Sequence, residues 1–148
     1  MADVRIRMME AGALQVVLEI QAACYTEVTP ESGESFHAKL GASESTCFVA
    51  TLGDDTVGYL IALPWEFASP PVLDAQTCRL PSSPDCLYLH DLAVKPEARS
   101  SGAGRSLVEA FLVRLKGSDL GRASLVAVQD SWRYWERYGF RPVQPTAP

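Results

Sequence analysis

The chain has 148 residues, 47% of them hydrophobic and 21% charged, with a formal net charge of −5 at pH 7 and a pI near 5.0. That length suits one domain, 1–148, with a real core, and is short for two. The acidic balance argues against a nucleic-acid partner, which needs clustered Lys and Arg, and favours a cationic small molecule; no stretch approaches the roughly 20 apolar residues of a membrane span.

The opening "MADVRIRMME" carries charge but no apolar h-region, so it does not read as a secretory signal, and the cytoplasm is the expected compartment. Its "VRIRMM" alternates and predicts a first strand. Ala13, Val16, Val17, Ile20 and Cys24 then repeat at helical spacing and predict an amphipathic helix. "YTEVTPESGES" has loop composition, and "SFHAKLGAS" predicts a short second helix that stops at Gly41. "TCFVATL" and "TVGYLIALPW", separated by "GDD", predict two antiparallel hairpin strands. From Pro64 to Asp85 there are five prolines and no periodicity, so a long irregular connection is expected.

"CLYLHDLAV" predicts another strand, and Leu107, Val108, Phe111, Leu112 and Leu115 mark one helical face that ends at Gly117. "RASLVAV" is the next strand. "DSWRYWERY", with an N-cap at Asp130 or Ser131 and a stop at Gly139, predicts a short helix, and "FRPV" a last strand. The order β-α-α-β-β-β-α-β-α-β is that of a mixed α/β domain, an α+β mixed sheet whose second half contains a strand-helix-strand crossover that should pair parallel. Cys24, Cys47, Cys78 and Cys86 form no Cys-x-x-Cys pair and have no histidine at ligand spacing, so no metal site is expected. Cys78 and Cys86 bracket the proline-rich loop, but reduced thiols are the expected state.

The stretch "RSSGAG", Arg99 to Gly104, joins a predicted strand to a predicted helix. Two readings stand level: a tight turn, or an anion cradle in which unpaired helix amides meet a phosphate. It is not a P-loop, since Gly104 is followed by Arg105 and Ser106 and the upstream glycine is missing. It is not a dinucleotide fingerprint either: Leu107 stands where the third glycine belongs, and Ala123 to Val126 where an acidic residue belongs.

These residues resemble the GNAT superfamily of acyl-CoA-dependent N-acetyltransferases. Its Gln/Arg-x-x-Gly-x-Gly/Ala signature follows an "LAV"-like strand end, and Arg99, Gly102 and Gly104 match it after "DLAVKPEA". "YWERYGF" is similar to the family's "FYEKLGF", with Glu136, Gly139 and Phe140 in register, and "TVGYLIA" to its "IVGYI" strand. The resemblance covers nearly the whole chain in the same element order.

The resemblance implies a GNAT-like acyl-CoA N-acyltransferase fold and acetyl-CoA as co-substrate, with no metal. Loop groups of Ser100, Ser101, Gly102, Ala103, Gly104 and Arg105 would hold the pyrophosphate, with Arg99 beside them. The Leu92, Ala93 and Val94 backbone would pair with the pantetheine arm, and Ser131 and Trp135 would border it. "LHDLAV" is similar to the "LHALAV" of arylalkylamine N-acetyltransferases, which makes His90 the candidate base against the alternative of a satisfied core histidine. The family's second histidine is replaced by Tyr88, on the same strand face, so a Tyr-His-water chain is expected. Asp91, of opposite parity, is expected to face away as a weaker candidate base.

Where the family has a tyrosine that protonates the leaving thiolate, this chain has Trp135; Tyr134 is the nearest phenol and Tyr138 lies a turn on. The family's "N-x-x-A" is absent, with Gln129 or Ser131 as substitutes. The acceptor, a small-molecule or peptide amine, would enter past Tyr25, Glu27 and Glu31 and past Trp65 and Phe67. Eight residues follow Phe140, three of them proline, so the last strand is expected short or missing: naturally, by truncation, or completed by a partner's strand in a homodimer. The alternative function is a non-catalytic acyl-CoA-binding module.

Overall fold

The computed structural model describes residues 3–25, 30–67, 69, 71, 74–127 and 131–142. Its strands are β1 (Val4–Met8), β2 (Cys47–Leu52), β3 (Asp55–Trp65), β4 (Cys86–Val94) and β5 (Ala123–Leu125). Its helices are α1 (Leu14–Cys24), α2 (Gly33–Ala42), α3 (Ala103–Lys116) and α4 (Trp132–Glu136). They form one five-stranded sheet in the order β1-β2-β3-β4-β5. The first four strands are antiparallel, and the α3 crossover brings β5 parallel to β4. Among the described residues no helix is long and apolar enough to cross a membrane.

The central strands are apolar on both faces, and each face is covered by helices. On one side Leu60 and Ala62 of β3 and Leu87 and Leu89 of β4 pack against Leu107, Val108 and Phe111 of α3 and against Trp135. On the other, Val49, Tyr59, Ile61 and Ala93 pack against Val17 and Ile20 of α1 and Phe36 and Leu40 of α2. The α2 helix starts where Ser32 accepts a bond from the Ser35 amide, a side-chain N-cap, and runs one residue past Gly41.

Three departures from the sequence expectations shape the site. The strand expected over "RASLVAV" ends at Leu125, because its ladder with β4 covers only Leu87 to Leu89. Beyond that the two strands part, and β4 continues to Val94 paired with β3 alone. The expected last strand does not form at 140–142; Val143 lies outside the described residues. There the Phe140 amide bonds back to the Trp135 carbonyl, its ring stacks edge-on to the indole at 5.7 Å, and Pro142 has no N–H for a ladder.

The third departure is a β-bulge. Ile61 faces Asp91 and Ala62 faces Leu89, which leaves His90 as an extra residue without a partner. One extra residue reverses the alternation beyond it. Asp91, expected to point away from His90, therefore comes round to the α1/α2 face, where it meets Tyr59.

Candidate functional site

A cavity of about 700 Å³ runs through the gap between β4 and β5. At one end stand Arg99 and Gly104; its middle is walled by Leu89, Leu92, Val94, Leu125 and Val126; at the other end are Tyr25, Glu31, Asp74, His90 and Asp91. The gap exists because Val126, 58% exposed, has left the sheet. Among the described lining residues the one cation sits at the α3 end and all the carboxylates at the α1/α2 end.

The α3 end is built by a short 3-10 turn, Pro96–Ser101, followed by Gly102 at φ +89°, a left-handed conformation that glycine adopts without strain. This corner aims the first turn of α3 across the end of β4. Ser101 turns its hydroxyl onto the Ala98 carbonyl and takes the Ala103 amide at 3.2 Å, while the Ala103 methyl is buried in the core. The amides that follow, of Gly104 and Arg105, belong to the turn that has no i−4 carbonyls of its own helix. Ser100, Arg99 and Arg105 are exposed, and Arg105 pairs with Glu109 at 3.2 Å. A Cβ on Gly104 would stand 3.1 Å from the Tyr134 hydroxyl and 3.7 Å from Val94, so this glycine permits the close approach of α4 to α3.

Along the wall, the carbonyls of Leu92 and Val94, expected to meet a pantetheine arm, already accept bonds from α1: Tyr25 Oη reaches Leu92 at 2.6 Å and Cys24 Sγ reaches Val94 at 3.1 Å. Each oxygen keeps a second lone pair. Ala93 between them faces the α1/α2 core. Burial pushes the Tyr25 phenol well above its ordinary range, so it is a neutral donor.

At the bulge, His90 and Asp91 stand side by side in different surroundings. The His90 side chain is 2% exposed; its Nε2 bonds to Glu31 Oε1, and its Nδ1 is sealed without a partner among the described residues. Tyr88 stacks near the imidazole at 6.0 Å with no hydrogen bond between them, and burial holds its phenol up at about 12. The expected Tyr-His-water chain therefore has no open end at the imidazole. Asp91 has one oxygen, Oδ2, held by the Tyr59 hydroxyl at 2.8 Å, and it lines the cavity. Burial pushes its carboxyl above the usual carboxylate range, against the Tyr59 bond and the neighbouring imidazole, which pull it down.

Glu31 is the best-connected residue of the site. Gln21, from α1, clamps its backbone, accepting from its amide at 2.9 Å and donating to its carbonyl at 3.0 Å. Its carboxylate takes bonds from His90, from Ser35 at 2.6 Å, from Lys39 at 3.0 Å and from the Asp74 amide at 3.4 Å. Lys39 is itself 1% exposed and also donates to Ser35 at 2.8 Å. Burial works to raise the Glu31 carboxyl, but the bonds from His90, Ser35 and Lys39 outweigh it and hold the group at about 2. The long connection is pinned to this cluster, since Asp74 accepts from the Ser32 amide at 2.7 Å.

At α4, Ser131 is the N-cap and lines the cavity, as do Tyr134 and Trp135. Trp135 is a core residue, packed edge-on to Tyr134 at 5.0 Å. The Tyr134 hydroxyl lies 3.2 Å from that of Tyr138, and burial pushes it far above the ordinary phenol range. It thus keeps its proton and stands beside the first turn of α3.

One expected acceptor residue, Trp65, is elsewhere. Trp65 pairs with Cys86 at the far end of the β3–β4 ladder and gives its indole N–H to the Ser69 carbonyl at 2.6 Å. It lies four residue steps along β3 from Ile61, opposite Asp91, roughly 13 Å at about 3.3 Å per residue, and does not line the cavity. Glu27, with Gln129 and Asp130, lies outside the described residues. The sequence reading missed the Glu31–Lys39–His90 cluster and the cavity-facing Asp91. A lysine at an apolar position of α2 was the one available signal for the first; for the second there was none.

Residues 14–140 match the family described as Acetyltransferase (GNAT) family. No curated protein matches the sequence. Among solved structures the fold is similar to that of Ard1 from Thermoplasma volcanium, with a TM-score of 0.73 and 16% identity over 93% of this chain and 82% of that one. It is similar to the ribosomal-protein-S18-alanine N-acetyltransferase from Escherichia coli, with a TM-score of 0.71 and 19% identity over 95% and 79%. It is also similar to the GNAT-like decarboxylase GphF in complex with isobutyryl-CoA, with a TM-score of 0.71 and 18% identity over 93% and 72%.

Proposed function

This chain belongs to the GNAT acetyltransferase family, and from that premise we propose that it is a single N-acetyltransferase domain moving an acetyl group from acetyl-CoA to a primary amine by direct transfer. The observation that carries the proposal is the polarity of the cavity: helix amides and Arg99 at one end, Glu31, Asp74 and Asp91 at the other. A diphosphate suits the first and an ammonium the second, with an apolar corridor between them for the pantetheine arm. Charge-assisted bonds to an oxyanion contribute about 1.5–3 kcal/mol each, so a few amides hold a diphosphate despite the acidic chain.

In this reading the α3 turn and Arg99 bind the diphosphate, and the open edge of β4 lays the thioester beside the bulge. The amine gives up its proton there. Tyr134, kept protonated by burial, supplies a proton to the departing sulfur in the role the family gives to the residue replaced by Trp135. The GphF decarboxylase was solved with isobutyryl-CoA, which supports an acyl-CoA ligand for this fold and leaves the acyl group to experiment.

The test follows free thiol released from acetyl-CoA against polyamines, arylalkylamines, aminoglycosides and peptides. Amine-dependent release by one class supports the proposal. Saturable acetyl-CoA binding with no amine-dependent thiol from any class refutes it in favour of a non-catalytic acyl-CoA-binding module.

A further inference from the structure

Resting on that reading, we propose that Asp91 is the residue that docks the acceptor's ammonium group and takes its proton, and that His90 does neither. Without the bulge, Asp91 would face the α3 side; with it, the carboxylate lines the cavity on the α1/α2 face. One oxygen is fixed by the Tyr59 hydroxyl at 2.8 Å, which sets the orientation of the group. The Tyr25 phenol stands beside the carboxylate too but gives its hydroxyl proton to the Leu92 carbonyl at 2.6 Å, which leaves Oδ1 without a donor among the described residues. A carboxylate oriented through one oxygen, with the other undonated and the group lining the cavity, is placed to receive a donor.

His90 has the opposite character. Its Nε2 faces an ionised carboxylate, which accepts only, so Nε2 must carry a proton and is no base. Its Nδ1 has a lone pair when the ring is neutral, but less than one water's access to it. The imidazole is anchored to Glu31, and through Glu31 to Lys39 and Ser35, which makes it a pin that holds the bulge residue in place.

The groups facing Asp91 are Tyr59 from β3, Tyr25 after α1, His90 and Tyr88 on its own strand and Glu31 before α2. The phenols are neutral, and the Glu31 charge is matched by Lys39. An incoming ammonium therefore meets in Asp91 a carboxylate that no lysine or arginine pairs among the described residues. Its proton passes to Oδ1, and the freed lone pair forms the N–C bond at the thioester carbonyl as the C–S bond breaks, leaving the electron pair on sulfur. Sulfur takes the Tyr134 proton. The second nitrogen proton leaves as the amide forms and, through water, restores Tyr134, while Asp91 discharges its own proton to solvent.

The experiment compares wild type, Asp91→Asn and His90→Gln in thiol release with acetyl-CoA and the best amine of the panel. Wild type is expected to reach a plateau of kcat/KM near neutral pH, because the ammonium loses its proton on the enzyme. Asp91→Asn is expected to lose about 100-fold or more at neutral pH. It should also lose the plateau, its rate rising with pH toward the amine's own pKa of about 10. His90→Gln, whose amide N–H still donates to the Glu31 carboxylate but offers no ring nitrogen as a base, is expected to keep the plateau. A plateau retained in Asp91→Asn, or lost in His90→Gln with Asp91 intact, overturns the proposal.

A second arm needs no turnover: carboxyl-carbon NMR of aspartate-labelled protein titrated with n-butylamine at neutral pH. The Asp91 resonance, assigned by its absence in Asp91→Asn, is expected to shift saturably. An unmoved resonance overturns the docking role. Failure of acyl transfer alone would appear as no thiol release from wild type alongside a shifting resonance.

Discussion

Glu31→Gln tests whether the buried charge cluster stabilises the acceptor end of the fold. In the folded chain the Glu31 carboxyl is held at about 2 against an ordinary 4.5, with burial opposing and the bonds from His90, Ser35 and Lys39 prevailing. At 1.36 kcal/mol for each tenfold change in proton affinity, that difference is worth about 3 kcal/mol of stability. The side chain is 9% exposed, so solvent screening removes little of it. Because the folded value lies below the unfolded one, the stabilisation is complete above the unfolded value and disappears as pH falls through the folded one. The window runs from about pH 5 to about pH 2. Glutamine keeps the shape and loses the charge, leaving Lys39 buried without its partner. Urea unfolding followed by circular dichroism should show the variant about 3 kcal/mol less stable than wild type near neutral pH, a Tm lower by roughly 6–12 °C. The gap should narrow steadily below about pH 5 as wild type loses the same contribution. A gap that is the same at neutral and acidic pH would refute the reasoning, since it would place the effect in packing rather than in the ionised carboxylate.

Gly104→Val should weaken acetyl-CoA binding about tenfold or more, the equivalent of one charge-assisted bond, with folding retained. Calorimetric titration with circular dichroism reads both, and undiminished affinity would remove the α3 turn from the binding site. The new side chain meets the Tyr134 hydroxyl at 3.1 Å, so a shift in tyrosine fluorescence should accompany it. Tyr134→Phe should lower kcat by about 100-fold with KM little changed, as expected for a proton donor that acts in the transition state. Steady-state kinetics decide it, and an unchanged kcat would leave Tyr134 as a packing residue between Gly104 and Trp135.

Local chemistry made much of this protein readable from its residues alone. The corner at Gly102 and the small side chains through Gly104 announce a strand-to-helix junction because backbone strain and the lack of i−4 partners act over a few residues. The short β-rich apolar runs of β2 to β4, split by turn residues, and the 3.6-period face of α3 made the element order and the parallel crossover legible in the same way. Three things were decided only by the tertiary structure. The divergence of β5 after Leu125, which opens the cavity, depends on which strand β4 keeps as partner, and the expected strand continued past it through Val126 and Ala127. The bulge at His90 arises from register against β3, 30 residues away, and a shift of one residue turned Asp91 from an outward residue into a cavity wall. The binding of Glu31 to His90 spans 59 positions and exists because α1, α2 and β4 converge, a closeness that no local pattern of side chains records.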